Sequence, residues 1–175
     1  MKYAPENVAR ELLRALRDSR PGARWTIAVM AGAAGAAVAI ALMELLAARS
    51  AIPLLFVPFA TSIVLIMGSP DIEAAQPRAL VGGHVVATLV GLVVVKVTGP
   101  GTATAALAVG LAMVAMHLTR CFHPPAGIDP LVVVVNDMSW SFLLVPVVAG
   151  ACLLAVFALV WHNVVRRGSW PRRWW

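Results

Sequence analysis

Hydrophobic residues in this chain fall in long runs rather than alternating with polar ones. That spacing predicts helices buried in lipid. Six runs stand out, at residues 25–47, 52–67, 80–97, 102–118, 124–135 and 141–161. The first is long enough to cross a bilayer with some tilt. Its Gly32-Ala-Ala-Gly35-Ala-Ala stretch offers a small-residue face for close helix packing. The second is short and holds Pro53 and Pro58, the fourth follows a Gly99-Pro100-Gly101 turn, and the fifth is the shortest and rich in valine. Polar links containing proline join the second run to the third and the fourth to the fifth. This hints at a duplicated hairpin, though without close identity. Ahead of the runs, residues 1–24 place Val8, Leu12 and Leu16 at helical spacing, with Arg10, Arg14 and Arg17 on the other surface. This predicts an amphipathic helix on an anionic leaflet rather than a cleavable signal peptide. The expected fold is an all-α membrane protein. Its domain, residues 25–163, is a bundle of about six transmembrane segments, one short or broken after His123-Pro124-Pro125, and a basic, Trp-rich tail of residues 164–175 follows.

Composition sharpens this reading. The chain is 61% hydrophobic and 13% charged, with a mean hydropathy of +0.86, whereas soluble domains carry about 25% charged residues. The net charge of +6 would suit nucleic acid, but no recognition motif accompanies it. The basic residues instead crowd before Trp25 and after the last run, which predicts cytoplasmic termini and an even number of crossings. Of the 14 Lys and Arg, only Arg49 and Lys96 would then lie on the other side. A bacterial inner membrane is the expected location. The tryptophans are expected at the headgroup interface, and Cys121 and Cys152 as free, core-type thiols. Six short helices offer little internal core, so a homo-oligomer of unspecified number is expected.

Candidate chemistry lies in the two polar links. The first carries Ser69, Gln76-Pro77-Arg78 and, a little further on, His84. The second carries Thr119, Arg120 and His123-Pro124-Pro125. Charged and helix-stopping residues are costly at membrane depth, so such groups are functional candidates. Proline suits the first turn of a helix, and helix starts attract anions through free N–H groups. Two recessed starts flanked by Arg78 and Arg120 would therefore attract a small anion, with the hydroxyl, amide and imidazole groups replacing its water. The plainer alternative is that the arginines snorkel to headgroups and the histidines bridge helices. Glu44, His117 and Asp129 are candidates for proton linkage. No metal-ligand set or cofactor motif is evident. No nucleophile–base pair marks an enzyme.

The ordered set Gly68-Ser69-Pro70, Ala75-Gln76-Pro77-Arg78, Gly83-His84 and Leu118-Thr119-Arg120 leading into His123-Pro124-Pro125-Ala126-Gly127 resembles the HPP family of integral membrane proteins. The resemblance covers about 100 residues and departs at Asp71-Ile72-Glu73 and Ile128-Asp129-Pro130. It implies a small helical membrane domain linked to nitrite transport. The expected function is thus a channel or transporter for a small monovalent anion, nitrite favoured. The alternatives are a proton- or cation-linked transporter using Glu44, Asp129 and the histidines, or a non-transporting scaffold or sensor subunit.

Overall fold

A computed structural model describes residues 22–50 and 57–174. The amphipathic segment expected before Gly22 lies outside the described residues. Helix α1 covers Ala23–Ser50, α2 Val57–Gly68, α3 Pro77–Thr98 and α4 Thr102–Leu118. A 3-10 turn at Pro124–Ile128 continues into α5, Asp129–Val135. A wide-turn stretch, Leu143–Val148, leads into α6, Ala149–Val165. Among the described residues there is no strand. The chain divides into two units, residues 1–31 and 32–175. The described part of the first is the opening of α1, where the Trp25 N–H donates to Gly22 O at 2.9 Å. All that follows concerns the second.

Lengths explain the membrane architecture. Ala23–Arg49, Pro77–Thr98 and Leu143–Val165 are long and apolar enough to cross a bilayer. The last is broken at Val145 (φ −137°, ψ 114°), because Pro146 cannot donate to the helix ladder. The 12-residue α2 measures only about 18 Å at helical rise, and Pro124–Val135 is of similar length. Neither is long enough over its described residues to span alone. The Pro124–Ile128 turn packs on α2, so the two short pieces meet inside the bundle. The predicted short fifth segment is therefore present, and the sixth is interrupted as well.

Helix α3 is the central element, packed on α4, α5 and α6. One apolar cluster joins α1, α2 and α6 through Met43, Phe59, Ile63, Ile66 and Leu154, and a second joins α3, α4 and α5 through Leu92, Val95, Ala108 and Val133. The small-residue face of α1 is used within the chain. At Gly35 an added Cβ would lie 2.5 Å from Trp161 Nε1 and 2.9 Å from Met67 Sδ. The close packing expected of this small-residue face is therefore made within the chain.

The end of α2, the start of α3 and the ends of α4 and α6 share one end of the bundle. The tail folds back across it. The Trp170 indole N–H donates to Ala75 O at 3.0 Å, and the Asn163 amide N–H donates to Trp170 O at 2.5 Å. Trp170 is only 2% exposed, which corrects the expectation of an interfacial anchor. Trp25, Trp140 and Trp174 are exposed. Cys121 is buried but Cys152 is exposed, because it falls on the outer face of α6. At the opposite end Lys96 pairs with Asp137 at 3.3 Å.

Candidate functional site

The site begins with the residue before two prolines. That position disfavours helical backbone, and His123 is extended (φ −129°, ψ 98°). Extension lets the chain turn inward after α4 instead of continuing the helix. The turn lands against α3 at Gly83, where a Cβ would lie 2.6 Å from His123 Cβ and 2.9 Å from Cys121 O. Only a glycine allows this approach. His84, the next residue of α3, stands seven residues into its helix, about 10 Å below the bundle end at helical rise.

Four elements contribute to one buried cluster. His84, His123 and Asp129 are 0% exposed, as are Ser62 of α2 and Thr88 of α3. His84 Nδ1 lies 2.8 Å from Asp129 Oδ2, and Thr88 Oγ1 donates to the same oxygen at 3.2 Å. Ser62 Oγ lies 2.9 Å from His84 Nε2 and 2.8 Å from His123 Nε2, so it bridges the two rings. A carbonyl oxygen only accepts. His123 therefore donates its Nδ1–H to Ala74 O, at 2.6 Å. Phe59 packs edge-on to His84 at 4.7 Å between ring centres. The second carboxylate oxygen, Asp129 Oδ1, is buried with no hydrogen-bond partner among the described residues.

The expected site residues are thus sorted by position. His84 and His123, read as anion contacts, and Asp129, read as a proton-linked residue, come together. Arg78 and Arg120 sit above them at the bundle end. With Glu73, Gln76, Ala79, Arg173 and Trp174 they line a pocket of about 190 Å³. Arg120 also lines an adjoining pocket of about 410 Å³ with Ala74, His117 and Phe122. Ala74, whose carbonyl receives the His123 proton, is part of that pocket's wall, so the buried cluster ends directly beneath it.

Arg120 occupies an unusual backbone position. At the end of α4 its N–H donates to His117 O at 3.1 Å, and Cys121 N–H donates to Met116 O at 2.9 Å. This is the Schellman closure, whose turning residue is usually glycine. Arg120 takes it with φ 55°, a left-handed conformation that costs an L-residue about 1–2 kcal/mol. An arginine held where glycine fits more easily points to a use for its side chain.

Other expectations are corrected. The double proline leaves the recessed turn without N–H groups at its first two positions, and Ala126 N–H is taken by His123 O at 3.0 Å. The turn is therefore not an anion-binding helix start. Pro124 is exposed and Pro125 half-buried, and their role is to shape the chain. Gln76 is no free pore liner. Its amide donates to Pro70 O (2.8 Å) and Ile72 O (3.0 Å), and its oxygen accepts from Arg172 and Arg173 N–H at 2.7 and 3.3 Å. It clamps the first link to the tail. Thr119 Oγ1 donates to Ala115 O at 2.7 Å, and its carbonyl accepts from Arg78 at 2.8 Å. Ser69 is exposed and lines neither arginine pocket. His117 is exposed, and its Nδ1–H is donated to Met113 O at 2.8 Å. Glu44 is exposed on α1.

Sequence reading missed Ser62 and Thr88. Both were accessible in principle. Ser62 falls on the face of α2 that carries Phe59 and Ile66, and Thr88 lies one turn from His84 on the same face of α3.

The fold and this buried cluster define an integral membrane protein of the all-α class, with a recessed polar site in its bundle. A family model for the HPP transmembrane region matches residues 21–171, and the chain belongs to the HPP family. Two transmembrane proteins of Dictyostelium discoideum are similar, 38% and 37% identical over 125 residues. Each alignment covers 67% of this chain, and 40% and 44% of the relatives' lengths. The chain therefore spans less than half of the curated relatives it matches. No solved structure matches it.

Proposed function

We propose that the protein passes a small monovalent anion across the membrane, with nitrite the first candidate. The observation that carries this reading is the pocket framed by Arg78, Arg120 and Arg173, which opens at the bundle end above the buried histidines. Among the described residues Glu73 is the only acid in its lining, against three arginines, so the local field favours a negative guest. Guanidinium groups are fixed donors suited to oxyanions. The arginine-rich end faces the cytoplasm by the positive-inside rule, and the role is transport rather than catalysis. Nitrite itself comes from the family resemblance.

The test is nitrite influx into proteoliposomes at mildly alkaline pH, where the permeant neutral acid is scarce, beside protein-free liposomes. Protein-dependent influx that falls in Arg120→Ala supports the reading. Influx equal to protein-free liposomes, from folded protein, removes it.

A further inference from the structure

The cluster around Ser62 has a proton count that ordinary charge states do not satisfy. A serine hydroxyl has one hydrogen to donate and two lone pairs to accept with. Ser62 Oγ has three neighbours at hydrogen-bond distance: Pro58 O at 2.9 Å, His84 Nε2 at 2.9 Å and His123 Nε2 at 2.8 Å. Pro58 O can only accept. His123 holds its proton on Nδ1, against Ala74 O, so the Nε2 of a neutral His123 is an acceptor. If Asp129 is ionised, His84 donates Nδ1–H to it, and the Nε2 of a neutral His84 is an acceptor as well. Three acceptors would then compete for one hydrogen. A single added proton resolves the conflict, because one imidazole can then donate to Ser62 while the hydroxyl donates to the other.

We propose that Asp129, His84, Ser62 and His123 form a proton relay that loads Asp129 from the arginine-lined end and couples anion passage to proton movement. The coupling rests on the anion reading above; the relay itself does not. In the singly protonated cluster His123 carries hydrogen on both ring nitrogens, and its Nε2 hydrogen passes to Ser62 Oγ. The Ser62 hydrogen passes to His84 Nε2, and the His84 Nδ1 hydrogen passes to Asp129 Oδ2. In this shift three bonds to hydrogen break, at His123 Nε2, Ser62 Oγ and His84 Nδ1. Three form, at Ser62 Oγ, His84 Nε2 and Asp129 Oδ2. The net result moves one positive charge from His123 to Asp129 and leaves every member neutral. In that state each donor has one acceptor: Asp129 to His84, His84 to Ser62, Ser62 to His123, and His123 to Ala74 O. The reverse shift returns the proton.

Several features support the assignment. All four side chains are fully buried, so solvent does not short-circuit the chain. The outer end terminates on Ala74, in the wall of the pocket shared with Arg120. The inner end carries an acceptor with no partner among the described residues, Asp129 Oδ1, a second site for the proton. Several other titratable groups on the packed elements bond elsewhere. Cys121 Sγ contacts Thr119 Oγ1 at 2.9 Å. His162 Nε2–H donates to Ile66 O at 3.1 Å. His117 bonds its own helix and Arg78 bonds Thr119 O.

The experiment uses the full chain in vesicles holding a pH-sensitive dye, at mildly alkaline pH, with internal nitrite assayed in parallel. One arm applies a nitrite gradient, and the other only a potassium diffusion potential. Ser62→Ala removes the bridging hydroxyl. Asp129→Asn keeps the shape and a hydrogen bond to His84 but takes no proton, and thermal melts confirm that each variant folds. The expected result is protein-dependent proton movement in at least one arm, lost to the protein-free level in both variants. Nitrite influx without protein-dependent proton movement in either arm overturns the relay and leaves the anion reading standing. Proton movement under the potential, lost in both variants and without nitrite influx, sustains the relay and removes the anion reading. Proton movement unchanged in both folded variants, or neither flux from the parent protein, overturns the proposal.

Discussion

Replacing Gly83 by alanine adds one methyl group at the tightest point of the site. The new Cβ would stand 2.6 Å from His123 Cβ and 2.9 Å from Cys121 O. Non-bonded carbons rest at about 3.5–4.0 Å, so the His123 turn must retreat by about 1 Å. The bond from His123 to Ser62 is 2.8 Å, and a retreat of that size takes it beyond hydrogen-bond range. Overpacking costs about 1–3 kcal/mol, and an abandoned buried polar partner costs a further ~1–3 kcal/mol. Alanine recovers at most about 1 kcal/mol of helix propensity. The net expectation is a loss of roughly 1–5 kcal/mol. Gly110→Ala supplies the control, because nothing lies within 4 Å of its Cβ position on α4. The propensity gain is then unopposed, and that variant should be unchanged or slightly more stable. Denaturation of the two variants and the parent in one detergent gives the comparison. Equal stability of Gly83→Ala and Gly110→Ala would refute the packing of the His123 turn on α3.

Three further outcomes follow from the same contacts. Arg120→Gly should raise stability by about 1 kcal/mol, since glycine takes φ 55° without strain, while nitrite influx falls; a thermal melt beside the flux assay reads both signs. Trp170→Ala should cost about 3–5 kcal/mol and expose the tail to protease, because that ring is buried in the cluster that joins α1, α2 and α6; a tail that resists digestion as in the parent contradicts this. Glu44→Gln should leave flux unchanged and stability within ~0.5 kcal/mol, since Glu44 is exposed whereas the cluster is fully buried; a pH-dependent loss of flux would revive it as a coupling group.

Hydropathy runs located the helices well, because lipid burial demands a signal that local sequence carries. The fourth run, residues 102–118, coincides with α4. Helix α3 begins at Pro77, where proline was expected to open the third segment, three residues ahead of the apolar run itself. The two links were legible as special, and they do supply the arginines, Gln76 and His123. Their roles were not legible. Gln76 serves as a clamp only because the tail returns to it, a contact 96 residues away in sequence. Ser62 was overlooked because a serine in an apolar helix ordinarily bonds its own backbone, and it does so here, to Pro58 O. What makes it special is the approach of two histidines from 22 and 61 residues away. The Asp129–His84 pairing was hidden for the same reason. Spacing along one helix can be read from sequence, whereas the meeting of four elements depends on how far the double proline recesses the fifth segment.

The claim most central to this account is that the arginine pocket belongs to an anion pathway. Nitrite accumulation in vesicles at mildly alkaline pH, with the parent protein, Arg120→Gly and Gly110→Ala reconstituted side by side, tests it most directly. Influx well above protein-free vesicles is expected for the parent and for Gly110→Ala, with a marked fall in Arg120→Gly despite its greater stability. Equal influx in all three proteins, or none above protein-free vesicles from folded parent protein, would contradict it.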